Sequence, residues 1–234
     1  MECLYSTDIF EEKNSISISG DELKHVKALR LNREENVLIT NGKGITCLCE
    51  LFNINKEKAE FLIRERYELM NENNYHTALG ISILSSRERF EFAIEKAVEL
   101  GINKIIPLYS KFTQKIKFKN KRIEAKILAA LKQSKRSVLP DLEELTKFSE
   151  LKKIAPNFDK IILLDDSGDT PSNETLGDNI LVIVGPEGGF DSDEIKNLTD
   201  EKNTVIWNLG QRRLRSETAS VVALSTLNFL KQIN

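Results

Sequence analysis

The chain has 234 residues, 40% hydrophobic and 30% charged, with 34 Lys and Arg against 36 Asp and Glu for a net charge of −2. This suits one or two globular domains with a sizeable core, and no apolar run approaches the roughly 20 residues that a membrane-spanning helix needs. Glu2 follows Met1 without a basic-then-apolar start, and three cysteines do not make a disulfide framework, so no secretory leader is expected and a reducing, cytoplasmic setting is.

The first 70 residues predict a small β-barrel-like domain. Ser15-Ile16-Ser17-Ile18-Ser19 alternates as a half-buried strand does. A short helix fits over 21–29 after Gly20. Strands are expected at 37–40 and 45–51 around the Asn41-Gly42-Lys43-Gly44 turn, and another at 59–63. Cys47 and Cys49 would share a face of their strand, and Cys3 fits the core. Two cysteines without a second pair do not make a structural zinc site, and no metal is expected. The polar segment 70–76 is the linker candidate.

From residue 77 to 234 the pattern alternates strand and helix. Strands are predicted over 78–84, 102–108, 160–164, 180–184 and 204–207. Helices are predicted over 89–100, 121–134, 191–198 and 217–230, with Asp191 and Ser216 as N-caps. Alternation with apolar strand runs argues for an α/β layer around a mostly parallel sheet. The charge is uneven. Ten Lys and Arg fall within 111–136 against the single acid Glu124, which suits either a polyanion partner such as nucleic acid or a solvated face.

Two loops stand out as sites for chemistry. Gly185-Pro186-Glu187-Gly188-Gly189-Phe190 follows one strand and precedes a capped helix, so its glycines suit close backbone approach to a ligand at a strand's carboxyl end, or simply a turn. It lacks the Gly-Lys-Ser/Thr ending of a phosphate-binding P-loop. The second loop, Leu209-Gly210-Gln211-Arg212-Arg213-Leu214-Arg215, opens the last helix and crowds arginines at a helix N-terminus, where anions are favoured. Lys132-Gln133-Ser134-Lys135-Arg136 could meet phosphates or bases, or be a solvated helix end. His25 and His76 lie apart from both loops, and no Ser-His-Asp or Cys-His set can be assembled. Asp165, Asp166 and Asp169 fit a polar loop better than a metal site.

Taken in order, these motifs resemble the RsmE-type ribosomal RNA methyltransferases of the SPOUT superfamily. The resemblance is carried by His25 with Leu29-Arg30-Leu31, by Arg89 with Glu95-Lys96-Ala97-Val98-Glu99-Leu100-Gly101-Ile102, and by Gln133-Ser134 with Arg136 and Pro140. It continues through Gly185–Phe190 and through Leu209-Gly210 with Arg212, Leu214-Arg215 and Glu217-Thr218-Ala219. Departures from the family pattern are Glu95 for Gln, Arg213 for Ile, Ser216 for Thr, and Tyr109-Ser110-Lys111-Phe112 in place of a Ser-Glu-Arg-Ser-like segment.

The resemblance implies a PUA-like β-barrel over 1–70 that helps hold RNA and an α/β trefoil-knot domain over 77–234 that binds S-adenosylmethionine. It implies a homodimer that makes N3-methyluridine in 16S rRNA of the assembled 30S subunit, at the uridine usually numbered 1498. The cofactor would lie on Leu163, Leu164, Gly185, Pro186, Glu187, Gly188, Gly189, Leu209, Gly210 and Leu214. RNA would meet Arg30, Arg89, Gln133, Arg136 and Arg212. Arg215 would favour the anionic ring, and Glu217 would be a base or a helix cap. Two other readings stay open: a related enzyme acting on another base or on ribose 2′-O, and a non-catalytic RNA-binding protein.

Overall fold

The chain, in this computed structural model, forms two compact units, Met1–Glu72 with Leu128–Leu139, and Asn73–Ile127 with Pro140–Asn234. Residues 1–7, 13–32, 35–114, 120–172 and 176–232 are described.

In the first unit, β1 (Cys3–Tyr5), β2 (Ser15–Ser19), helix α1 (Gly20–Leu29), β3 (Asn36–Thr40), β4 (Ile45–Ile54) and β5 (Lys58–Glu68) build a curled five-stranded sheet in the order β1-β3-β4-β5-β2. The alternation of β2 puts Ile16 and Ile18 inside, where they meet Leu4, Val26, Ile39 and Phe61. Cys47 and Cys49 are fully buried in the same core. The β3–β4 turn forms as expected, because the Asn41 side chain accepts hydrogen bonds from the amides of Lys43 (2.8 Å) and Ile45 (3.1 Å).

The segment Leu128–Leu139 packs with this unit, although its sequence continues the second domain's rhythm. Its anchor is Arg136, whose side chain is 1% exposed and paired with Glu72, itself 4% exposed. Glu72 also accepts from the amides of Ser137 and Val138, each at 2.9 Å. One carboxylate thus satisfies a buried guanidinium and two backbone donors.

The second unit contains β6 (His76–Ser82), α2 (Arg87–Glu99), β7 (Lys104–Tyr109), the first half of α3 (Asn120–Ser134), β8 (Asp141–Leu142) and β9 (Thr146–Lys147). Then come α4 (Leu151–Ile154), β10 (Lys160–Asp169), β11 (Asn179–Val184), α5 (Ser192–Thr199), β12 (Thr204–Trp207) and α6 (Ser216–Gln232). Seven strands form one sheet in the order β12-β10-β11-β6-β7-β8, with β9 also on β7. Each pair in it is parallel. Burial on both faces explains the continuous apolar runs of β10 and β11. Gly101, at φ +92°, follows the end of α2 in a conformation that favours glycine.

Among the described residues of the basic stretch 111–136, five of seven cations have acidic partners. Lys111 pairs with Asp191, Arg122 with Glu91, Lys126 with Glu95, Lys132 with Glu22 and Arg136 with Glu72, while Lys115, Lys117 and Lys119 lie outside the described residues. Ser216 is the first helical residue of α6, not its cap, because the Arg215 carbonyl accepts the first helical bond, from the Ala219 amide (2.8 Å). Strands β1, β8 and β9, two or three residues each, were not anticipated.

Removing Glu72 strands a buried cation. Glu72→Ala should lower unfolding stability by about 3–5 kcal/mol in urea titration, and Glu72→Ala combined with Arg136→Met should recover much of that loss.

Candidate active site

All strand carboxyl ends of the parallel sheet lie on one edge. Strand β10 sits between β11 and β12, with Leu163 opposite Ile183 and Leu164 opposite Trp207. The loops leaving β11 and β12 therefore emerge on either side of the β10 end, and between them lies a cleft of about 810 Å³.

Each loop is held by its own sequence. After β11, the Pro186 carbonyl accepts from the Gly189 amide (2.9 Å), which closes a turn with Glu187 and Gly188 at its tip. Gly189 has φ +73°, open only to glycine without strain. Phe190 turns inward against Phe148, ring centroids 4.9 Å apart. Asp191 then caps α5 in a capping box with Glu194. After β12, Asn208 ties the second loop to β10. Its amide donates to the Asp169 carbonyl (2.8 Å), its side chain donates to the Asp166 carbonyl (2.9 Å), and its side-chain oxygen accepts from the Gly210 amide (2.9 Å).

Charge is arranged around this cleft. The Arg213 guanidinium donates to the Glu187 carbonyl (2.9 Å), joining the two loops. The Glu187 carboxylate accepts from the Ser85 amide (3.0 Å) and hydroxyl. Burial pushes the Glu187 carboxyl up, but the Ser85 hydroxyl, nearby amides and the charge of Arg89 together hold it below its ordinary value. Arg89 also pairs with Glu217 (3.6 Å), in the first turn of α6. Arg212 and Arg215 are exposed on the cleft wall.

Most of the residues singled out from the sequence meet here. Leu164, Gly185, Pro186, Glu187, Gly188 and Gly189 line one side of the cleft, and Leu209, Gly210, Arg212, Leu214 and Arg215 the other, with Arg89 also on the wall. Leu163 does not. It is fully buried in the sheet core, because alternation along β10 turns it away from the cleft that Leu164 reaches. Arg136 is enclosed with Glu72 in the first unit, so its charge is already satisfied there and offers no open phosphate contact. Arg30, at the left-handed C-cap of α1, and Gln133 are exposed residues of the first unit. Glu217 is committed to Arg89. Asp165 and Asp166 join the cleft wall, and no cluster of metal-ligating side chains occurs among the described residues. The sequence reading missed Trp207, Asn208 and Ser85. Asn208 directly follows a predicted strand and stands two residues before Gly210, the spacing at which an Asn side chain accepts from a turn amide. Ser85 carries no local signal.

The lowered Glu187 carboxyl gives a pH dependence. Its contribution to loop stability is complete above the ordinary value of 4.5 and is lost as pH falls through the lower folded value. Amide protection in the 187–190 loop, taken relative to the intrinsic exchange rate at each pH, should fall on acidification below that range, and Glu187→Gln should remove the dependence.

Comparisons with known proteins agree with this site. Residues 71–228 match the family model described as RNA methyltransferase domain, and residues 18–64 the one described as RNA methyltransferase PUA domain. The chain is 33% identical over 221 residues to ribosomal RNA small subunit methyltransferase E of Mesomycoplasma hyopneumoniae, covering 92% of this chain and 94% of that protein. It is 29% identical over 245 residues to the protein of the same name from Bacillus subtilis, covering 95% and 93%. Among solved structures, a ribosomal RNA small subunit methyltransferase E from Neisseria gonorrhoeae, bound to S-adenosyl methionine, superposes with a TM-score of 0.89 at 26% identity, covering 98% of each chain. With its motifs gathered on one sheet edge and these relatives matched nearly end to end, the chain belongs to the ribosomal RNA small subunit methyltransferase E family.

Proposed function

We propose that this protein transfers a methyl group from S-adenosylmethionine to N3 of one uridine, usually numbered 1498, in 16S rRNA of the assembled 30S subunit. The observation that carries the reading is the meeting of two glycine loops and an arginine-rich helix start on one cleft, in a chain of this family. The residues fit the cofactor. The volume lies in the range of small-ligand sites. Leu164, Val184, Trp207 and Leu214 supply apolar walls, and the loops at Gly185–Gly189 and Leu209–Gly210 supply backbone donors and acceptors without side chains in the way. S-adenosylmethionine, when bound, supplies an electrophilic methyl group on a sulfonium.

The chain's own residues handle the nucleophile. Uracil N3 carries a proton and must lose it, to solvent water in the open cleft, before it can take up the methyl group. The exposed Arg215 guanidinium stabilises the negative charge that then develops on the ring, as a preorganised cation does. Arg212 meets backbone phosphate. The Arg89–Glu217 pair fixes the first turn of α6, which begins directly after Arg215, so both act as positioning residues. The trefoil threading of the superfamily, a homodimer and a cytoplasmic setting belong to the same reading. Exposed Phe92 on α2 and Phe229 on α6 support the dimer, because these two helices pack together and leave both rings at the surface. No helix among the described residues is long and apolar enough to cross a membrane.

With labelled cofactor and unmethylated small subunits, the wild-type protein should incorporate label. Arg215→Ala should lower kcat by about 10²-fold while the cofactor Kd, measured by calorimetry, changes less than about twofold. Equal turnover by the variant would remove Arg215 from the mechanism.

A further inference from the structure

A second cleft, of about 420 Å³, opens on the same sheet edge of the second unit. It begins where β7 ends. Tyr109, the last residue of β7, is the register partner of Lys147, the last residue of β9, and both line the cleft. Ser149 and Asn197, both exposed, supply hydrogen-bonding groups, and Phe148 forms part of the floor. The ring of Phe148 rests on Phe190, which lines the first cleft, so the two clefts share an aromatic wall.

The charges around this cleft are unequal in what they have left to give. The Lys111 ammonium is taken up by Asp191 (2.7 Å). The Glu194 carboxylate is taken up by the amides of Lys111 (2.9 Å) and Asp191 (3.0 Å). Lys147 and Lys152 are exposed and have no ion-pair partner among the described residues. Tyr109 is 37% exposed. An accessible aromatic ring with two uncompensated cations and several small polar groups is what a splayed single-stranded nucleotide requires. The ring stacks on its base, the cations meet its phosphates and the polar groups meet its edges.

We propose that this second cleft holds a nucleotide of the RNA strand adjacent to the target uridine, with Tyr109 stacked on the base and Lys147 and Lys152 on the flanking phosphates. The proposal rests on the methyltransferase reading of the first cleft. A base that leaves its stack to be modified deprives its neighbour of a stacking partner. A pocket one aromatic wall away replaces that partner and fixes which strand segment enters. Tyr109, Ser110 and Lys111, which follow one another at the end of β7, form one side of this pocket.

The test compares wild type with Tyr109→Ala/Lys147→Ala/Lys152→Ala, three surface changes whose effect on folding is checked by the thermal midpoint. Two readouts are taken: steady-state methylation of unmethylated small subunits, and binding of a fluorescent single-stranded RNA oligonucleotide at several salt concentrations. The variant should raise KM about tenfold or more and leave kcat and cofactor Kd within about twofold. Its log–log salt slope for the oligonucleotide should fall by about 1.4, for two lost phosphate contacts on a single strand. Tyr109→Phe should behave as wild type, because stacking needs only the ring. An unchanged KM and salt slope overturn the second cleft while leaving the function intact. A wild-type protein that methylates no small subunit, yet binds the oligonucleotide with a slope that the variant reduces, overturns the function and sustains the cleft.

Discussion

The parallel arrangement of one sheet determines where everything else in the methyltransferase unit can act. Because each neighbouring pair runs the same way, every strand delivers its following loop to the same edge. The return of β12 to the outside of β10, past β11, then sets the two glycine loops on opposite sides of a single strand end. No residue in either loop creates this placement. The glycines make the loops close and open enough to serve it, and Asn208 and Arg213 fasten them to β10 and to each other.

Electrostatics in the molecule follows a division between satisfied and available charge. Lysines and arginines crowd into 111–136, but the described ones among them are mostly spent on partners from other segments, and the most basic-looking motif ends in the most deeply buried ion pair. The available cations are fewer and better placed. Arg212 and Arg215 stand on the wall of the first cleft, and Lys147 and Lys152 stand beside the second. The contacts proposed for RNA thus use a few cations on a sheet edge, in a chain whose net charge is −2.

Periodicity made the long elements legible: the alternation of Ser15–Ser19, the apolar face of α2, the paired runs of β10 and β11, and Asp191 as a cap all have local causes. Both loops of the candidate site were legible for the same reason, since each follows a strong strand signal and opens a helix. What escaped has causes distant in sequence. The partner that buries Arg136 lies 64 positions away, and the serine that holds Glu187 lies 102 positions away. Two-residue strands such as β8 and β9 have no periodicity to detect, and they exist because β7 offers them a paired edge. Leu163 and Leu164 are adjacent and chemically alike, so only the pleat of β10 decides which of them reaches the cleft.

If the loops at 185–190 and 209–214 form one cofactor site on one sheet edge, S-adenosylmethionine should slow hydrogen–deuterium exchange in both segments together, at the same cofactor concentration, and leave the first unit and the Tyr109–Lys111 segment unaffected. Protection in only one of the two loops, or confined to the first unit, would rule out a single shared site.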